Sequence, residues 1–225
     1  MLETTYEDIA GMIDHSLLKP FLTDAEIEAG CRLADSYRVV SVCVRPADVR
    51  LAAAILKDSP VKITTVIGFP HGSTTTHAKL EEAKEAITNG AVELDVVLHF
   101  GKLKSGEYDY VKNDLEAVIK YAHGKSVRVK VIFENCYLNE EEIIIACEIC
   151  NELGADWVKT STGYGTGGAE PKDIQIMRKH AKPSVQVKAA GGVRTLEKLL
   201  EMRELGCTRV GATATAQILD EFMKK

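Results

Sequence analysis

Short runs rich in valine and isoleucine recur along the chain, each followed by a loop of glycine, serine, threonine or asparagine and then by apolar positions at helical spacing. The alternation passes eight times, predicting strands at 11–15, 39–45, 61–67, 91–98, 127–133, 156–160, 185–189 and 208–211. Helices are predicted at 24–37, 46–56, 75–89, 108–122, 140–153, 171–180, 196–205 and 215–223, with a short extra helix at 5–10. Boundary chemistry fixes the phase. Thr23 and Asn139 stand where a side-chain oxygen would cap a helix, Pro46 and Pro171 suit a first helical turn, and Gly90, Gly154 and Gly206 suit helix exits. Repeated strand–helix units require parallel strands, and eight of them in 225 residues fit a closed barrel better than an open sheet. The expected architecture is α/β: a single (β/α)8 TIM barrel with a short extra N-terminal helix, residues 1–225 forming one domain.

Strands covered on both faces should read as continuous apolar runs, and these alternate instead. Val40, Val42 and Val44 oppose Ser41, Cys43 and Arg45; Leu94 and Val96 oppose Glu93, Asp95 and Val97; Val129 and Val131 oppose Lys130 and Ile132; Val185 and Val187 oppose Gln186 and Lys188. With the apolar set against the helices, Asp95, Lys130, Lys159 and Lys188 point into the barrel, where an ionised group is costly unless it is paired or used.

Composition narrows the partners. Lys and Arg total 28 against 33 Asp and Glu, a net charge of −5, so no overall positive field exists to condense on a phosphate polymer or an anionic bilayer. Neither nucleic acid nor membrane is expected. No stretch approaches the ~18 uninterrupted apolar residues of a spanning helix, and the acidic first dozen residues lack a basic-then-apolar leader, which predicts a cytoplasmic location. Of six cysteines, Cys43 lies in an apolar run and Cys147 and Cys150 in a helical pattern, so free thiols are expected.

In this fold the chemistry sits at the C-terminal ends of the strands, which favours Asp95, Lys159 and Lys188, all late in theirs. The sixth and seventh strands should be neighbours ~4.8 Å apart, so that each lysine disfavours the charge on the other. An ordinary lysine with pKa ~10.4 is neutral about once in 2,500 at pH 7; a drop of ~3 units, costing about 4 kcal/mol, raises that to roughly a third. Imine formation needs that neutral amine. The competing reading is an ion-pair network joining Lys130, Lys159 and Lys188 to Asp95 and Glu93; three lysines against few acids favour catalysis.

Phosphate has its own candidates. The run Ala189-Ala190-Gly191-Gly192-Val193-Arg194 follows the seventh strand, and Gly211-Ala212-Thr213 follows the eighth. Loops at these two places present backbone N–H groups at a helix start, although tight turns alone would also call for glycine. The run from Gly163 to Gly168 forms a third flexible loop able to close over a ligand. Cys43 faces inward near a strand end, as a pocket wall or a small core residue, and Asp14 with His15 either positions substrate or pins a loop.

Several of these segments resemble the class I deoxyribose-phosphate aldolases: Ile13-Asp14-His15-Ser16-Leu17-Leu18-Lys19-Pro20, Ser41-Val42-Cys43-Val44, Glu93-Leu94-Asp95-Val96-Val97, Lys130-Val131-Ile132-Phe133-Glu134, Val158-Lys159-Thr160-Ser161-Thr162-Gly163, and Val187-Lys188-Ala189-Ala190-Gly191-Gly192-Val193-Arg194. The resemblance implies that Lys159 forms a Schiff base, with Lys188 and Asp95 in its activation and proton relay. It implies that Gly191, Gly192, Arg194, Gly211 and Thr213 hold a phosphate, with Gly163, Cys43 and Asp14 beside the substrate. The implied reaction is reversible cleavage of 2-deoxy-D-ribose 5-phosphate into D-glyceraldehyde 3-phosphate and acetaldehyde, without metal or organic cofactor. Lys159 rather than Lys188 as nucleophile rests on the resemblance alone. His99, Tyr164 and Thr213-Ala214 depart from the family's usual residues, and the ending Phe222-Met223-Lys224-Lys225 lacks the tyrosine that some members carry. Partners expected are small phosphosugars and aldehydes, with apolar helix positions leaving room for a homodimer. Two other readings are a metal-dependent aldolase or isomerase, needing a His/Glu/Asp cluster at strand ends, and a non-catalytic phosphosugar-binding protein.

Overall fold

In the computed structural model, which describes residues 4–224, every predicted strand forms; residues 1–3 and 225, the ends of the expected domain, lie outside the described residues. The strands are β1 (Ile13–Leu17), β2 (Ser41–Val44), β3 (Lys62–Ile67), β4 (Glu93–Val97), β5 (Arg128–Ile132), β6 (Trp157–Lys159), β7 (Gln186–Ala190) and β8 (Cys207–Ala212). Each pairs in parallel with the next and β8 closes on β1, giving one barrel in sequence order. Around it run α1 (Tyr6–Ala10), α2 (Asp24–Ser36), α3 (Val49–Ile55), α4 (Thr76–Thr88), α5 (Phe100–Lys104), α6 (Tyr108–His123), α7 (Glu140–Leu153), α8 (Pro171–His180), α9 (Leu196–Glu204) and α10 (Thr215–Met223).

The helix ends show why the phase was readable. Thr5, Thr23 and Asn139 each accept from a backbone N–H three residues on, and the acidic residue at that position reaches back to the cap's own N–H. Where the structure departs from the predicted pattern, local chemistry explains it. The first strand begins two residues later than expected because Gly11 caps α1, its N–H bonding to Glu7 and Ile9 carbonyls. The helix predicted at 46–56 divides into a single 3₁₀ turn, Pro46–Asp48, and α3, where the Arg45 guanidinium holds Asp48 at 2.5 Å. The short α5 was not predicted; the His99 ring accepts from Lys102 N–H and starts it in place of a hydroxyl or carboxamide.

The main core lies between sheet and helices. Val42, Val44, Leu94, Val96, Val129, Val131, Val158 and Val187 pack there with Ile27, Leu115, Ile143 and Ile174, each such side chain contributing ~1.5–3 kcal/mol by leaving water. Val97 and Ile132 are buried but stand apart from that cluster, as the strand alternation requires of residues facing the axis. All six cysteines are free, and burial pushes the Cys147 thiol up to about 12.

Candidate active site

The barrel interior is a column of charge. At its base the Trp157 ring is faced by Arg128 at 4.8 Å, Arg209 at 5.0 Å and Lys130 at 5.7 Å, distances at which a ring attracts cations. Glu93 binds Arg128, lies 2.8 Å from Arg209 and 2.6 Å from Lys130. Above it Asp14 accepts from Ser41 Oγ at 2.5 Å, from Arg209 at 2.5 Å and from Lys188. Asp95 completes the column: Oδ1 lies 2.8 Å from Lys130 Nζ, and Oδ2 lies 2.6 Å from Lys159 Nζ and 2.7 Å from Lys188 Nζ. Except for Arg128, these side chains are buried.

Two expectations change here. The acids are not few, since Asp14, Glu93 and Asp95 all enter the network, and the two lysines do not depress one another symmetrically. Burial is the main force lowering Lys159; Asp95 opposes it and the Lys188 charge adds to it. For Lys188 burial acts in the same sense, but Asp14 and Asp95 outweigh it and hold the group as an ammonium, above its ordinary range. Burial would raise Asp14 and Asp95, yet the surrounding cations hold both well below the usual carboxylate range. One amine is thus eased toward neutrality beside another fixed as a cation. That asymmetry separates two lysines that strand parity left alike.

Lys159 and Lys188 end β6 and occupy the middle of β7, side by side in register. They form the floor of a cavity of about 520 Å³ that Asp14, Cys43, Gly163, Gly191, Gly192, Arg194, Gly211 and Thr213 also line. Every predicted site residue is therefore brought to one place, with Asp95 directly behind the lysines. Burial pushes the Cys43 thiol up to about 11, leaving it a neutral wall. His15 takes no part: its Nδ1 meets Thr215 Oγ1 at 2.8 Å and burial lowers it to about 4, so a neutral ring pins the start of α10. Loops six and seven touch closely. A Cβ on Gly168 would fall 2.5 Å from the Gly191 carbonyl oxygen, and Ala169 N–H donates to that same oxygen at 3.0 Å. From loop six, Tyr164 donates to the Leu18 carbonyl at 2.8 Å and packs edge-on against Phe69.

Sequence reasoning missed Arg209, Trp157, Ser41 and Thr162. The signal for two of them was present: Trp157 lies two residues before Lys159 and Arg209 two before Gly211, so one alternation turns both pairs inward. Among the described residues no group of three or more His, Cys, Asp or Glu is arranged to hold a metal ion, and no helix is long and apolar enough to cross a membrane.

A lysine whose hold on its proton burial weakens, at the mouth of a (β/α)8 barrel with an ammonium beside it and a glycine-edged cavity above, fits an enzyme that works through an imine: a class I aldolase, a carbon–carbon lyase. Comparison with known proteins agrees. The sequence pattern of the DeoC/LacD family aldolases matches residues 9–216, and the chain belongs to that family. A deoxyribose-phosphate aldolase from Rhodopirellula baltica is 51% identical over 225 residues, covering 100% of this chain and 93% of that one. Another from Thermococcus gammatolerans is 51% identical over 95% of this chain and 96% of its own. Among solved structures, the aldolase QR15 superposes with a TM-score of 0.92 at 41% identity, covering 96% of both chains. A tetrameric deoxyribose phosphate aldolase from Aeropyrum pernix does so at 0.91 and 30%, covering 97% of this chain and 92% of that one.

Proposed function

We propose that this chain cleaves 2-deoxy-D-ribose 5-phosphate reversibly into D-glyceraldehyde 3-phosphate and acetaldehyde through an imine on Lys159. The neutral Lys159 amine attacks the C1 carbonyl, and the Lys188 ammonium protonates the hydroxyl that leaves as water. Because acetaldehyde carries two carbons, the C2–C3 bond breaks. Its electron pair flows into the protonated imine while the C3 hydroxyl gives up a proton and becomes the aldehyde of the three-carbon product. The enamine left on Lys159 is protonated at C2, and hydrolysis releases acetaldehyde. Asp95 orients Lys159 and, with Asp14, keeps Lys188 charged. Gly191, Gly192, Arg194, Gly211 and Thr213, with Gly163 on the facing loop, bind the phosphate and supply binding energy remote from the reacting bond. The start of α10 supports this assignment, since no side chain among the described residues caps it and an uncapped helix start attracts an anion.

The observation that carries the reading is Lys159, a residue 3% exposed whose amine lies 2.6 Å from Asp95 at the cavity floor, beside Lys188. Incubation with acetaldehyde followed by borohydride reduction should leave a stable adduct on Lys159, mapped by mass spectrometry, and Lys159→Ala should abolish turnover without changing the circular dichroism spectrum. An adduct on Lys188 would reassign the nucleophile; no adduct, with phosphosugar still bound, would make this a binding protein. The same reading takes the chain as cytoplasmic and homodimeric; sedimentation velocity would reveal instead a monomer or a tetramer.

A further inference from the structure

A second hollow, of about 210 Å³, opens over β2 and β3 beside the cavity that holds the lysines. Apolar side chains make most of it: Val66, Phe69 and Pro70 from β3 and its loop, together with Leu18, Pro20 and Tyr164. The two charged residues there are already engaged. Arg45 is held by Asp48 at 2.5 Å and by the Pro20 and Leu22 carbonyls at 3.0 Å, and Glu82 accepts from Gly68 N–H at 2.6 Å. What the hollow offers a ligand is therefore hydrocarbon, the usual lining of a small-molecule pocket.

Leu18, Pro20 and Tyr164 line both hollows and so form the wall between them. Tyr164 spans that wall: its hydroxyl donates to the Leu18 carbonyl at 2.8 Å and its ring meets Phe69 edge-on, with centroids 5.5 Å apart. Yet the residue is 47% exposed, so no core packing fixes it. The floor of the smaller pocket is close to the chemistry. Val66 is buried outside the main apolar cluster and pairs in register with Asp95, one strand spacing of ~4.8 Å away, and Asp95 lies 2.6 Å from the Lys159 amine. The glycine loops proposed to bind phosphate follow β7 and β8, across β1 from this pocket. A phosphorylated aldehyde is drawn to that side of the mouth; an alkyl chain finds apolar shelter on the other. At ~30 Å³ for each water-sized group the pocket holds about seven, enough for the alkyl tail of hexanal.

We propose that Tyr164 sets the enzyme's aldehyde range: latched to Leu18, it walls off an apolar pocket that would otherwise receive the tail of an unphosphorylated alkyl aldehyde. The inference rests on the reaction proposed above, run toward synthesis, and deepens it. Acetaldehyde condenses with Lys159, loses water and becomes the enamine. The enamine pair forms a bond from C2 to the carbonyl carbon of the second aldehyde, whose π pair moves to its oxygen, and that oxygen gains a proton. The iminium left on Lys159 takes back one water and returns one proton as it releases a 3-hydroxyaldehyde and the free lysine. Tyr164 touches none of the reacting atoms; it decides only whether the tail has somewhere to go.

The test uses the full-length enzyme with acetaldehyde as donor and propanal, butanal, hexanal or decanal as acceptor, the 3-hydroxyaldehydes being quantified by mass spectrometry. In Tyr164→Ala, kcat/KM relative to wild type should climb by roughly three- to four-fold per methylene, reach about 30-fold for hexanal over propanal, and level off by decanal, whose tail exceeds the pocket. Phe21→Ala removes an exposed ring that lines the larger cavity alone, and it should leave the hexanal-to-propanal ratio within about two-fold of wild type. An unchanged ratio in Tyr164→Ala overturns the inference. So does an equal rise in Phe21→Ala, which would mean a general widening of the mouth, and so does a gain that keeps growing to decanal. Tyr164→Phe keeps the ring and loses the latch, so its ratio should move in the same direction by less; if the alanine variant fails to fold, that direction decides. Wild-type enzyme that joins acetaldehyde to no aldehyde, glyceraldehyde 3-phosphate included, would refute the proposed function and this inference with it.

Discussion

Replacing Asp95 with asparagine takes one negative charge from the centre of the barrel while keeping the side chain's shape. Asp95 lies 2.6 Å from Lys159, 2.7 Å from Lys188 and 2.8 Å from Lys130. At an effective dielectric of ~20, each unit pair at such a distance attracts by ~6 kcal/mol. These do not sum to a stability, because the carboxylate also gave up its hydration; breaking a buried pair costs ~3–5 kcal/mol net. For a domain of this length each kcal/mol moves the melting temperature by ~2–4 °C, so a fall of roughly 6–20 °C is expected by calorimetry. Lys159 would lose the negative charge of the acceptor that orients it and Lys188 one of its two anions. Both losses bear on the transition state, and kcat/KM should drop by about 10²–10³. The pH profile carries the sharper check. Asp95 is what opposes the lowering of Lys159, so in the variant the lysine should lose its proton at still lower pH and the rising limb of activity should move to the acid side. A coupled dehydrogenase assay of released glyceraldehyde 3-phosphate from pH 5 to 10 measures both quantities. Activity within ten-fold of wild type, or a limb displaced to higher pH, would refute this account of the site.

Gly168→Ala should raise KM for the phosphosugar by about ten-fold with a smaller change in kcat, because a methyl group 2.5 Å from the Gly191 carbonyl forces aside the loop proposed to bind phosphate; an unchanged KM would dissociate that loop from phosphate. Tyr164→Phe removes the hydrogen bond to Leu18 but keeps the edge contact with Phe69, and hydrogen exchange should quicken in loop six with little change in melting temperature. Acid should unfold the protein early. Cations hold Asp14 and Asp95 below the carboxylate range and Glu93 at about 2, so the stability they confer is complete above their unfolded values and drains away as pH falls through the folded ones. The urea midpoint should decline steadily from about pH 4.5 to pH 2; a flat profile over that span would show that these carboxylates do not stabilise the fold.

The barrel was legible because its signals are local. Caps at Thr23 and Asn139, prolines at 46 and 171, and the exit at Gly154 mark boundaries within a few residues of one another along the chain. Strand alternation turned Lys130, Lys159, Lys188 and Asp95 inward correctly for the same reason. The pairings inside the barrel were not legible: Arg209 meets Asp14 across 195 positions and Lys188 meets Asp14 across 174, contacts that only closure of β8 onto β1 creates. The order of forces on Lys159 was hidden likewise, since the sequence reveals a neighbouring lysine but not the depth of burial, which acts more strongly.

The stack that begins at Trp157 and ends at Lys159 makes the two faces of the molecule electrically dependent. Arg128 is partly open to solvent at the base of the barrel, at the opposite end from the cavity. It balances Glu93, which balances Lys130, which in turn shares Asp95 with Lys159. Replacing Arg128 would take one cation from Glu93 and leave Arg209 and Lys130 to hold it, a change in the charge balance of the buried column and not only of its rim. The protein's sole tryptophan, seated where that chain of counter-ions starts, gives it a built-in optical gauge of such a change.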